Sequence, residues 1–184
     1  MSDLGTLYLE SARATFRKYR SLAEGAMDQV DEAAFSAVPP GAESNSIALI
    51  VKHVAGNLCS RWTDFLSTDG EKPDRDRDGE FEQRAGDTRA SLMAQWNGAW
   101  EIALRELDAL SPEDLTRTVT IRAEPHSVVL AIDRQLTHAA YHVGQIVLLA
   151  KQLAPEWTSL SIPRGESQQF TAAMQARLQD NSSR

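Results

Sequence analysis

Residues 127–153 read SVVLAIDRQLTHAAYHVGQIVLLAKQL. Ser127 is suited to cap a helix and Pro155 cannot continue one, so the stretch predicts a single helix from that cap to about Leu153. At 100° per residue, Ile132, Leu136, Ala139, Val143, Ile146 and Val147 gather on one side, while Ser127, Arg134, Gln135, His142 and Gln145 lie within about 60° of His138 on the other. The helix is thus amphipathic, and its polar side carries two of the chain's four histidines. An apolar face this long needs other helices to cover it.

The rest of the chain offers them. Leu4, Leu7, Tyr8, Ala12, Phe16, Tyr19 and Leu22 recur at helical spacing and predict a first helix over 3–29. DEAAFSAVPPG allows a short turn before Pro39-Pro40-Gly41 breaks the chain, and Ser44 or Asn45 can cap a second helix to about Leu66. A third helix is expected over about 82–109, carrying Leu92, Trp96, Trp100, Ala103, Leu104 and Leu107. Between them TDGEKPDRDRDGEF, residues 68–81, reads as an exposed loop. Ser111 and Pro112 signal a helix start or turn, and TVTIR a brief extended stretch. The tail reads as a loop and a short fifth helix, with DNSSR at the end disordered. Four helices of 20 or more residues with little strand signal predict an all-α four-helix bundle, in one domain over 1–184.

Composition narrows the function. With 19 Lys and Arg against 26 Asp and Glu, the net charge is −7, and no basic face is evident, which argues against nucleic-acid and membrane partners. The single cysteine, Cys59, excludes an intrachain disulfide, and the N-terminal stretch has no apolar segment of the signal-peptide kind. A cytoplasmic protein acting on a small molecule is the expectation.

Residues i and i+4 on a helix differ by only about 40° in direction, so His138 and His142 can reach one ion. A third ligand must come from another helix, and His53, in LIVKHVAGNLCSRW, is placed to supply it. His126 lies about 18 Å from His138 along the chain of turns, too far to share the ion. Around His53, Asn57, Ser60 and Asp64 fall within about 40°, again a polar stripe beside an apolar arc. The two stripes are either solvent faces or the two walls of one polar cleft.

The three histidines, the HVGQIV segment and the stretch NSIALIVKHVAGNLCSRWTDFLSTDGEKPDRDRDGEF together resemble the DinB/YfiT-like superfamily of metalloenzymes. Its uncharacterised YizA-like branch is the most similar. The resemblance implies a four-helix bundle with an unusual connection and a short C-terminal helix, often dimeric. It also implies a divalent ion, zinc or nickel, held by His53, His138 and His142. Relatives elsewhere in that superfamily use low-molecular-weight thiols such as bacillithiol, mycothiol or glutathione.

Three neutral imidazoles leave an ion its full charge and an open position. Asn57 is one turn beyond His53 and is expected to orient it, with Arg61 a turn further and Gln145 able to hydrogen-bond from behind the ligands. Asn57, Arg61 and Gln145 are therefore the candidate catalytic residues. Arg134 is the candidate cofactor-binding residue, an arginine able to receive a carboxylate; a solvent-exposed ion pair is the plain alternative for both arginines. Cys59 is expected to be a packed thiol rather than a nucleophile. Asp74-Arg75-Asp76-Arg77-Asp78-Gly79 begins like a calcium loop, but the glutamate required at position 12 falls on Ala85. The four tryptophans are core or interface residues, and together with the wide apolar arcs they point to a homodimer. The functional expectation is a metal-dependent enzyme, a thiol-dependent S-transferase or a hydrolase. The alternative is a non-catalytic protein whose ion only pins two helices together.

Overall fold

The computed structural model describes residues 3–41 and 43–182. The chain is mostly helical. Helix α1 spans Leu4–Met27, α2 Glu32–Ser36, α3 Ile47–Trp62, α4 Arg89–Ala109, α5 Val128–Leu153 and α6 Ser167–Ser182, with a two-stranded antiparallel sheet of β1, Thr118–Ile121, and β2, Glu124–Ser127. Each long helix begins where a short polar side chain accepts an orphan backbone N–H: Asp3 from Thr6, Ser46 from Leu49, Thr88 from Ser91 and Ser127 from Leu130.

Helix α3 packs on α4 and α1 on α5, and the α3–α5 and α1–α4 faces close the arrangement. Phe16, Trp62, Trp96 and Trp100 meet at the centre, with Phe16 edge-on to Trp62 at 5.5 Å and to Trp100 at 6.1 Å. These three tryptophans are core residues, so they add nothing to the case for a dimer. Trp157 packs against the core from the segment after α5.

Several boundaries differ from expectation. The second long helix starts after Ser46, not Ser44 or Asn45, and stops at Trp62, so it has 16 residues rather than 20. Asp64, in left-handed conformation at φ 50, accepts the N–H groups of Ser67 and Thr68 and turns the chain away from the helix axis. The third long helix starts at Arg89 because Gly86 and Asp87 interrupt the pattern and Thr88 with Ser91 forms a reciprocal cap. Residues 63–88 are consequently a long irregular connection. TVTIR is extended, as β1, but its partner β2 had no strand signal, since EPHS contains a proline that only an edge tolerates. The final helix reaches Ser182, so order extends over residues 180–182 of DNSSR, while 183–184 lie outside the described residues. Among the described residues no helix is long and apolar enough to cross a membrane.

The long connection is not a free loop. Asp69 accepts from the backbone N–H groups of Arg122 and Ala123, both at 2.8 Å, where these two residues turn the hairpin with positive φ. Gly70 N donates to Thr120 O at 2.8 Å, and Ser60 Oγ on α3 donates to Gly70 O at 2.9 Å. The connection is thereby stitched between α3 and the hairpin, and lies over the flank of α3 that holds His53.

Candidate metal centre

His53 projects from the middle of α3, and His138 and His142 from successive turns of α5. One ring nitrogen from each falls within 4.8 Å of the others. His53 Nε2 and His138 Nε2 are 3.2 Å apart. Two nitrogens bound tetrahedrally to one ion at about 2.1 Å sit about 3.4 Å from each other, so this pair already has the spacing an ion requires. The polar stripes of α3 and α5 therefore face each other as cleft walls around these histidines.

The ring atoms can be assigned. A carboxylate only accepts, so His53 Nδ1–H donates to Glu80 Oε2 at 2.8 Å and leaves Nε2 with its lone pair. Gln145 Oε1 meets His142 Nδ1 at 2.8 Å and has the same consequence there. His138 has no such outer partner: its Nδ1 is buried with no hydrogen-bond partner among the described residues. Burial, reinforced by neighbouring His142 and His53, pushes the His138 pKa down to about 3, and burial lowers that of His142 against the opposing Gln145 hydrogen bond. Both are neutral at physiological pH, the protonation state a metal ligand needs.

Glu80 is the residue the sequence did not disclose. Arg75 grips it at both oxygens, Nε to Oε1 at 2.8 Å and Nη2 to Oε2 at 2.9 Å, with the two side chains only 4% and 8% exposed. Burial opposes ionisation of Glu80, but the hydrogen bonds from His53 and Arg75 outweigh it and hold the carboxyl below its ordinary value. Glu71 continues the chain of charge, 2.8 Å from Arg61 Nη1, 3.0 Å from Arg122 Nε and 3.5 Å from Arg75 Nη1. The DRDRDG run thus supplies a buried arginine beside a solvated stretch, not a calcium loop and not a wholly exposed one. Gly56 carried a signal. A glycine in the interior of an apolar helix costs about 1 kcal/mol against alanine, and here a Cβ would collide with the Glu80 carboxylate.

The other expected residues divide. Asn57 does not orient His53, because Glu80 takes the His53 Nδ1 and the Nε2 is turned toward His138; the Asn57 Oδ1 is buried without a partner among the described residues, and the residue lines a cavity instead. Arg61 is buried, bonded to Glu71 and to the Gly70 carbonyl, so it is neither a solvent-exposed pair nor a free cation. Arg134 is exposed. Cys59 is exposed rather than packed, with Thr63 Oγ1 3.9 Å away. His126 is buried on β2, its Nδ1 2.9 Å from Glu124 O, and takes no part in the cluster. Phe81 stacks on His53 at 4.6 Å and Tyr141 stands edge-on to His142 at 4.9 Å; neither was singled out in the sequence.

A family model described as a protein of unknown function, DUF1572, matches residues 3–166. The chain belongs to this family. Among curated proteins nothing matches the chain. The DUF1572 match takes in all three histidines, Glu80 and Gln145, and stops immediately before α6.

Proposed function

We propose that this DUF1572 protein is a metal-dependent enzyme of the DinB/YfiT-like kind, with a four-helix arrangement built around a divalent ion, zinc or nickel. The observation that carries the reading is three imidazoles converging from two helices, two of them fixed by outer hydrogen bonds, with no cysteine and no carboxylate in the cluster. Nitrogen-only ligation of this kind is typical of sites that keep an open position. A bound ion supplies Lewis acidity at that position, for hydrolysis or for transfer to a low-molecular-weight thiol. The chain does the rest. Glu80 fixes the His53 tautomer, Gln145 that of His142, and Arg75 neutralises the carboxylate so that the site stays compact.

A second reading, an ion that only clamps α3 to α5, draws on one observation: Glu80, the carboxylate in contact with the histidines, is committed to Arg75 and His53 and so is not a free base. Cobalt-loaded protein separates the two. Adding azide or acetohydroxamate should change the visible cobalt spectrum if a coordination position is open. An unchanged spectrum at saturating additive would mean a closed, structural site and would end the enzyme reading.

A further inference from the structure

Beside the histidines lies a cavity of about 320 Å³, lined by Asn57, Trp62, Phe65, Gln135 and His138 among others, with Arg61 and Arg134 also in its wall. Three features distinguish it. Its lining includes two arginines and no aspartate or glutamate. Arg61 is already paired with Glu71, whereas among the described residues Arg134 has neither an ion pair nor a side-chain hydrogen bond. Finally, four of its residues carry buried polar atoms without a hydrogen-bond partner among the described residues: Asn57 Oδ1, Trp62 Nε1, Gln135 Nε2 and His138 Nδ1. Asn57, Trp62 and Gln135 are each more than nine-tenths buried.

Unpartnered buried polar groups are costly and uncommon, and several among the residues of one cavity point to a ligand there. Trp62 offers only a donor; Asn57 and Gln135 offer a donor and an acceptor each. Phe65, Ile121 and Trp62 add an apolar wall. Arg134 is one helical turn before His138 on α5, so a guanidinium at the rim and an imidazole further in lie along one line.

Resting on the metal-centre reading above, we propose that this cavity is the substrate site and takes a small organic carboxylate, its carboxylate on Arg134, its apolar middle against Trp62 and Phe65, and its other end toward the ion. Arg134 is a specificity-determining residue. The site selects an anion because the one uncommitted charge facing the cavity is positive, and a guanidinium pairs with carboxylate through two parallel hydrogen bonds.

The test uses cobalt-loaded full-length protein and bifunctional probes, the monohydroxamates of succinate, adipate and suberate, each compared with its methyl ester. The hydroxamate addresses the ion and the tail addresses Arg134. At least one free acid should bind on the order of tenfold more tightly than its ester, and Arg134→Gln should remove that preference while leaving ester affinity and cobalt content unchanged. If no acid is preferred, or if the preference survives in Arg134→Gln, the proposal is wrong. Acetohydroxamate, which has no tail, reports on the metal centre alone. Its failure to bind, or absence of metal uptake, overturns the reading beneath the proposal and the proposal with it, and is distinguishable from a lost tail preference.

Discussion

The two flanks of α3 handle buried polarity in opposite ways. On the side covered by residues 63–88, every charged group that is drawn inward has a protein partner: Glu80 has Arg75 and His53, Glu71 has Arg61, Arg75 and Arg122, and Lys52 has Asp87. On the side facing α5, Asn57, Gln135, Trp62 and His138 keep polar atoms that no described residue satisfies. On the proposal above, the open flank is left unsaturated because a ligand completes it.

The largest effect short of removing a ligand should come from the saturated flank. Glu80→Ala leaves the Arg75 guanidinium buried without its bidentate partner and releases the His53 ring. Denaturant unfolding of metal-free protein should show a loss of about 3 kcal/mol. Metal affinity should fall by about 10-fold to 100-fold, as for other carboxylates that hold a ligating histidine. Unchanged metal affinity would show that His53 is held by its own packing and not by Glu80.

A smaller loss is expected where the same connection is pinned to the hairpin. Asp69→Ala removes the acceptor for three backbone N–H groups, those of Arg122, Ala123 and Glu71. Because Asp69 is only half-buried, water replaces part of what is lost, and about 1 kcal/mol of destabilisation is expected, with amide exchange quickening at residues 118–127. Full protection of the hairpin in the variant would mean that Gly70 and Glu71 hold it without Asp69.

The smallest effect should be on the open flank. Gln135→Leu removes an amide nitrogen that already lacks a partner, so ligand-free stability should change by less than about 1 kcal/mol, in either direction. A loss several times larger would show that Gln135 is structurally satisfied and would erase the contrast between the flanks.

How much of this was legible in the sequence follows the same division. Helical periodicity marked α5 to the residue because its cap, Ser127, and its apolar stripe agree with each other, while α1, expected over 3–29, ends two residues earlier at Met27. The histidine cluster was legible in part: His138 and His142 share a face by local geometry alone, and His53 joined them only as a third candidate of the right chemistry. Glu80 was hidden, because a carboxylate in a run of alternating acids and arginines looks solvated until the chain folds back 27 positions to reach His53. Nothing local marks that return except Gly56. The end of α3 at Trp62 and the delayed start of α4 were misjudged for a related reason, since the 63–88 connection takes its shape from tertiary contacts with α3 and the hairpin, which no periodicity records.

The central claim is that His53, His138 and His142 hold one divalent ion that also ties α3 to α5. His138→Ala tests it most directly, read by metal content after zinc loading and by thermal melting before and after chelation. Wild-type protein should take up about one zinc per chain, and at free zinc roughly a thousandfold above its dissociation constant it should gain about 4 kcal/mol by mass action. His138→Ala should lose that uptake and melt below loaded wild type, and the gap should largely close once wild type is stripped of metal. A variant that keeps full zinc content and the wild-type melting temperature would show that His138 is not a ligand and that the three-histidine centre is wrong.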